Sequence, residues 1–305
     1  AVDSFEMLHR TAVYAPKPHQ KSMKMLVLPN EAHEAPPAWI PRDVATYTVI
    51  RCDFLNAFDH VGPLFDEVAG EGEPGVWDDT LIGLKEQEDG PRIDLRKELF
   101  QFQDRQVIMV TDYVLPIGTS SDRTLYAVRV SDVDAVAKAL KKTQSINKGV
   151  RRREFEGHVI WETLPIARTG VQRVELQAPP LGFEPDDGEA PLDDAPPLMP
   201  NMSLTVAHGN YLLVASHYDF LLRFLQPVAA RESLARSIDY RFIESILQRM
   251  APEQFSAFGF SRTDEEYRSS YELIRQGKMP QSESILGRAL NNLMAPEQEG
   301  GTRQQ

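Results

Sequence analysis

Leu204-Thr205-Val206-Ala207-His208-Gly209-Asn210-Tyr211-Leu212-Leu213-Val214-Ala215-Ser216-His217-Tyr218-Asp219-Phe220 is the stretch on which the fold turns. Two β-rich runs, Leu204 to Ala207 and Tyr211 to Ser216, flank His208, Gly209 and Asn210. Gly and Asn tolerate the positive φ of tight turns, so the runs read as a hairpin. Asp219 then reads as the cap of a helix over Phe220 to Leu225. A hairpin passing straight into a helix favours antiparallel sheets over a doubly wound parallel one. The expected class is α+β: antiparallel, curved sheets with helices packed on one face and weakly repeated strand-to-helix units.

Working outward, the same polar step from strand to helix recurs around Asp53, around Ser131 with Asp132, and around Ser261 with Thr263. Val44 to Arg51 reads as a strand, and Phe54, Phe58, Val61 and Phe65 recur at helical spacing, with Pro63 set to break that helix. Trp77 to Glu86 and Asp94 to Phe102 read as further helices, and Gln106 to Asp112 pairs with Thr124 to Val130 around a loop at Pro116 to Asp122. Ser131 with Asp134 resembles a capping box for a helix with Val133, Val136, Ala137 and Leu140 on one face. Phe155 to Leu164 reads as a strand, as do Thr11 to Tyr14 and Lys24 to Leu28 near the start. Tyr240 to Met250 reads as a helix and Phe255 to Phe260 as a strand. Thr263 caps a helix to Gln276, and Ser282 with Ser284 starts a last one to Met294.

Pro29 to Pro41 is a connector, and eight prolines with an acidic cluster make Pro165 to Pro200 a loop or linker. The organisation expected is therefore 1–40 leading strands and connector, 41–164 a first α+β unit, 165–203 a linker, 204–296 a second unit and 297–305 a disordered tail. The opening strands lack a preceding helix or cap, as if cut from a longer chain.

Composition narrows function. The chain's 305 residues carry 33 Lys+Arg against 45 Asp+Glu, a formal charge of −12. That field repels nucleic acid and anionic headgroups. Cys52 stands alone, so no intrachain disulfide forms, and no apolar run reaches the roughly 18 residues of a membrane span. Gly70-Glu71-Gly72-Glu73-Pro74-Gly75 spells a dinucleotide pattern, but it follows a helix, and Pro74 lacks the N–H a phosphate needs. Ser145-Ile146-Asn147-Lys148 spells S-x-x-K without the partner motifs of acyl-serine enzymes. The seven histidines never reach metal-ligand spacing, and the Glu184 to Asp194 acidic run lacks the calcium-loop register. No catalytic, cofactor or metal site is assigned. The one concentration of positive charge is Lys141, Lys142, Lys148, Arg151, Arg152 and Arg153. It reads either as a patch for an anionic partner or as a solvated helix end followed by a charge-guarded edge strand.

The segment Trp39 to Val49, the Tyr126 to Asp132 step, the Phe155 to Trp161 strand and the hairpin Val206 to Ser216 occur in that order. Together they resemble exported, uncharacterised α+β repeat proteins common in planctomycetes. The resemblance implies export to the periplasm or cell envelope and a missing N-terminal half, and it brings no catalytic residue. The expected function is a non-enzymatic envelope protein that binds or scaffolds other proteins. The alternative is a carrier of an apolar, lipid-like ligand between sheet and helices, using the phenylalanines of Phe54 to Phe65 and Phe220 to Phe224. A third is a hydrolase built on Ser216, His217 and Asp219.

Overall fold

The computed structural model describes residues 18–86, 90–164, 199, 201–229, 232–250 and 253–278. Its strands are β1 (Glu31–Ala32), β2 (Thr46–Arg51), β3 (Gln103–Tyr113), β4 (Asp122–Val130), β5 (Val150–Phe155), β6 (His158–Thr163), β7 (Ser203–Ala207), β8 (Tyr211–Ala215), β9 (Gln254–Phe255) and β10 (Ala257–Ser261). Between β2 and β3 come α1 (Phe54–His60), α2 (Gly62–Val68), α3 (Val76–Glu86) and α4 (Leu95–Glu98). Helix α5 (Val133–Gln144) follows β4, α6 (Tyr218–Leu225) follows β8, α7 (Ile238–Met250) precedes β9, and α8 (Thr263–Glu266) and α9 (Arg268–Arg275) follow β10.

Eight strands form one open antiparallel sheet in the order β10-β2-β3-β4-β8-β7-β6-β5, while β1 pairs with β9 beside it. The α+β class with antiparallel strands is therefore what the chain adopts. The expected first and second units share this sheet, because β4 pairs with β8 and β10 returns to β2. The order reads the same from either end if β2, β3, β4 and β5 are matched with β6, β7, β8 and β10.

Alternation along each strand divides the buried residues between two faces. Tyr47, Val49, Ile108, Val110, Leu125, Ala127 and Leu213 share one face and pack with Phe220, Leu221 and Phe224 of α6 and Tyr240 of α7. Leu204, Leu212 and Trp161 point the other way and meet Val136 and Leu140 of α5. Each buried Leu or Phe contributes about 1.5–3 kcal/mol. The expectation of helices on one face is corrected: α5 lies on the face opposite α6 and α7. The reason is local. Strand β8 is buried on both sides, carrying apolar Leu212 and Val214 on one face and Leu213 and Ala215 on the other.

Several local readings are also corrected. Lys24 to Leu28 is not a strand; a 3-10 turn occupies Lys21–Met25. The Pro-rich connector holds the short strand β1. The cap of α5 is Asp132, whose side chain accepts from the Ala135 N–H at 2.9 Å, while the Ser131 hydroxyl turns to the Phe102 carbonyl. Ala139 rather than Ala137 faces inward. Asp219 lies inside the first turn of α6 behind His217, and Arg262, not Thr263, precedes α8. Tyr267 separates α8 from α9. Residues 155–164 are not one strand: Glu156 and Gly157, at φ 48° and 79°, turn the chain between β5 and β6. In the β7–β8 turn the positive φ falls on His208 (53°) and Gly209 (80°), so His208 takes the place expected of Asn210. Pro63 ends α1 as its chemistry demands and sits in the first turn of α2, where its missing N–H is tolerated. The strand at Thr11 to Tyr14, the 165–200 loop apart from Met199, the 282–294 helix and the tail lie outside the described residues.

Candidate functional site

The predicted cationic cluster sits where α5 ends and β5 runs along one margin of the sheet. Four of its six members are neutralised. Lys142 bonds Glu98 at 2.8 Å, Arg151 and Arg153 converge on Glu162 at 2.7 and 2.6 Å, and Arg152 meets Glu154 at 2.6 Å. The Arg153 guanidinium also lies 4.1 Å from the Tyr218 ring centroid. Lys141 and Lys148 are exposed and make no ion pair among the described residues. This arrangement fits guarded strand edges, where charge resists pairing with a stray strand.

Of Ser216, His217 and Asp219, the first two are brought together and Asp219 is turned aside. The buried Ser216 Oγ accepts the Thr124 N–H at 3.0 Å, closing the end of β8 against β4, and lies 2.9 Å from His217 Nδ1. Asp219 points instead to Arg123, 3.5 Å away. Cys52 is half-buried, and burial followed by the neighbouring Asp53 charge pushes its thiol pKa up, away from the nucleophilic thiolate. Among the described residues no group of three or more His, Cys, Asp and Glu is placed to hold a metal ion.

A cleft of about 510 Å³ opens among α1–α4, floored by Phe58 and Trp77 and flanked by Leu81, Ile82, Asp66 and Asp94. The Trp77 ring meets Phe58 edge-on at 5.5 Å and tilts over Phe65 at 5.0 Å. Three of the carboxylates that line it serve the fold. Asp66 accepts the N–H groups of Gly75 and Trp77 at 2.9 and 2.8 Å, Asp59 forks onto Arg96 at 2.7 Å, and Asp94 caps α4.

The densest polar cluster lies beneath residues 31–34, which cross the α7 side of the sheet. Arg51 is 1% exposed and bonds Glu31 Oε2 at 2.9 Å, the Ala32 carbonyl at 2.7 Å and the Phe255 carbonyl at 3.2 Å. Arg129 holds Glu34 at 2.6 Å and reaches the Tyr211 hydroxyl. That Arg129 bond keeps the Glu34 carboxyl below the usual range against the opposing effect of burial. His33 Nε2 lies 2.6 Å from Glu244 and 3.2 Å from the Tyr240 hydroxyl. Burial first, then the Glu244 charge, drives the Tyr240 phenol far above its ordinary value, so it stays protonated. These groups satisfy one another and bind the crossing segment to the sheet.

The opposite sheet margin differs from β5. Arg51 N donates to the Ser256 carbonyl and Arg262 N to the Ala45 carbonyl, both at the ends of the β10–β2 ladder. In antiparallel pairing bonded positions alternate, so Phe258 and Phe260 point their backbone groups at β2. Ala257, Gly259 and Ser261 therefore aim theirs away from the sheet, and all three residues are exposed. Among the described residues no strand pairs with this edge, and Ala-Phe-Gly-Phe-Ser carries no charge. Beside it, α7 exposes Ile238 at 89% and Phe242 at 63%. Further along, Tyr267 before α9 and Tyr271 and Ile274 within it are exposed at helical spacing. Sequence reading passed over Ile238 and Phe242. The signal was available: the pair is spaced i, i+4, off the Tyr240, Ile243, Ile246 and Leu247 stripe.

Compared with family models, curated proteins and solved structures, the chain matches none. No helix among the described residues is long and apolar enough to cross a membrane.

Proposed function

We propose that this protein is a non-enzymatic binding module that takes an extended segment of a partner protein along the β10 edge. The observation that carries the reading is the row of outward N–H and C=O groups at Ala257, Gly259 and Ser261 on a strand without a guarding charge. Strand addition uses such groups for affinity and neighbouring apolar side chains for selectivity, a part that Ile238 and Phe242 fit. Location in the cell envelope, implied by the resemblance above, belongs to the same proposal. Carriage of a lipid-like ligand finds less support. Leu213, Leu221 and Phe224, between the sheet and α6, are 0% exposed and closely packed.

Replacement of Ala257 by a photo-crosslinking residue tests the reading in intact cells of the source. The expected result is a polypeptide adduct at 257, with far less adduct from the same residue at Lys148 beside β5. Equal yields at both positions, or none at 257, overturn it.

A further inference from the structure

Resting on that reading, we infer that the segment added to β10 is β10 of a second copy of this chain, in an antiparallel dimer with its twofold axis at Gly259. Three observations carry the inference.

The first is register. An axis at Gly259 sets Gly259 opposite its own copy and Ala257 opposite the copy's Ser261. These are the three residues whose backbone groups point away from β2. A strand centred there satisfies every one of them at once, because bonded pairs in an antiparallel ladder exchange both N–H···O bonds. A shift by one residue along the same edge would set Phe258 or Phe260 in those places, where the bonds are already given to β2.

The second is the glycine. Its φ is not in the left-handed region, and a Cβ there would meet only Thr48 Oγ1, at 3.5 Å. Neither turn nor crowding demands glycine. Close approach of a second backbone at the axis supplies a reason for it, as for isolated glycines inside strands generally.

The third is the position of α7. Tyr240 sits over both β10 and β2, with ring centroids 5.4 Å from Phe260, 6.2 Å from Phe258 and 6.4 Å from Tyr47. The Tyr240 side of α7 thus lies over the gap between β10 and β2, about half a strand spacing inside β10. Strands lie about 4.8 Å apart, so pairing places α7 and its copy about 10 Å apart, the distance of packed helices. Glu244 faces His33 and the crossing segment, which extends inward to Arg129 on β4. Phe242 lies about 200° of helical turn from both Tyr240 and Glu244, exposed on the side of α7 away from the sheet and the crossing segment.

The other margin serves as the contrast. Strand β5 occupies the matching place at the far end of the sheet, yet carries Val-Arg-Arg-Arg-Glu-Phe. Charge bars edge pairing there, whereas no residue of β10 is charged and the Glu266 carboxylate that accepts the Ser261 hydroxyl stands only at its end.

The test is the mass in solution of the full chain, by light scattering after size exclusion, for the wild type, Gly259→Lys, Gly259→Glu and a mixture of the two. The wild type is expected at twice the 34.4 kDa chain mass. Each variant alone faces its own charge across the axis, and its dimer dissociation constant rises about tenfold or more. The mixture, with opposite charges at the axis, returns to the dimer mass. Phe242→Glu provides a probe off the strand should both strand variants lose their circular dichroism. It too is expected to weaken the dimer. A wild type at single-chain mass, or a dimer indifferent to the Gly259 and Phe242 changes, overturns the inference. If the crosslink at residue 257 then joins a different polypeptide, the binding reading still stands. An Ala257 probe with no adduct removes both.

Discussion

Arg51→Met isolates the grip that holds β1 and β9 to the sheet. Arg51 is almost wholly enclosed and gives its guanidinium to two backbone carbonyls, of Ala32 and Phe255, and to Glu31. Hydrogen bonds from a charged group contribute about 1.5–3 kcal/mol each. The Ala32 bond at 2.7 Å belongs at the upper end of that range and the Phe255 bond at 3.2 Å at the lower. Glu31 adds little, because 44% of its side chain is exposed and solvent screens the pair. Methionine recovers roughly 1 kcal/mol by filling the same volume with apolar atoms and leaving no buried charge. The net loss is about 2–4 kcal/mol, a large part of the 5–15 kcal/mol that holds typical domains folded. Urea unfolding reads it as a drop in midpoint at constant slope, and hydrogen exchange shows the 31–34 segment opening first. Arg51→Lys keeps the charge without the planar fork and restores less than half of the loss. A Met variant within about 0.5 kcal/mol of wild type, or a lysine that replaces arginine fully, would refute the role given to the guanidinium.

Acid sensitivity follows from Glu34. Its folded pKa is depressed chiefly by the Arg129 hydrogen bond, so its stabilising effect is complete above the ordinary glutamate value of about 4.3 and is lost as pH falls through the folded value. Glu34→Gln flattens that part of the acid limb when urea midpoints are compared between about pH 7 and pH 3, and an unchanged limb contradicts the assignment. At the β7–β8 turn, Gly209→Ala forces an L residue to hold φ 80° with no atom within 4 Å of the new Cβ, so the cost is backbone strain alone, about 1–2 kcal/mol. Gly118→Ala, without positive φ and likewise with no atom within 4 Å of the new Cβ, serves as the near-neutral comparison in thermal unfolding. Equal losses would show that the turn is not the cause.

Periodicity and turn chemistry made most elements legible. The β7–β8 hairpin and the break at Pro63 follow from rules that act within a few residues, as does the apolar run Phe255 to Phe260, which the structure divides at Ser256 into β9 and β10. Pairing partners were not legible. Nothing in Thr46–Arg51 announces that β10, some two hundred residues later, lies beside it, because both strands are simply apolar and short. The β5–β6 turn was missed because Glu156 rather than Asn or Asp leads into Gly157, so the usual turn signal was half absent. The placement of α5 escaped because β8 is apolar on both faces, and a strand without alternation does not say which side a helix will take. The cationic cluster was visible in the sequence, whereas its neutralisation by Glu98, Glu154 and Glu162 depends on partners that only the folded chain brings near. The β10 edge carries the quietest signal of all, an absence of charge.

The return of β10 to β2 governs when this molecule can become whole. Strand β2 leaves the ribosome some two hundred residues ahead of the neighbour that covers its outer flank. At about 5–20 residues per second, that flank waits roughly ten to forty seconds before its mate emerges. During that interval the nascent protein offers bare backbone and aromatic side chains to whatever is nearby, so each molecule needs a caretaker, or luck, until β10 arrives.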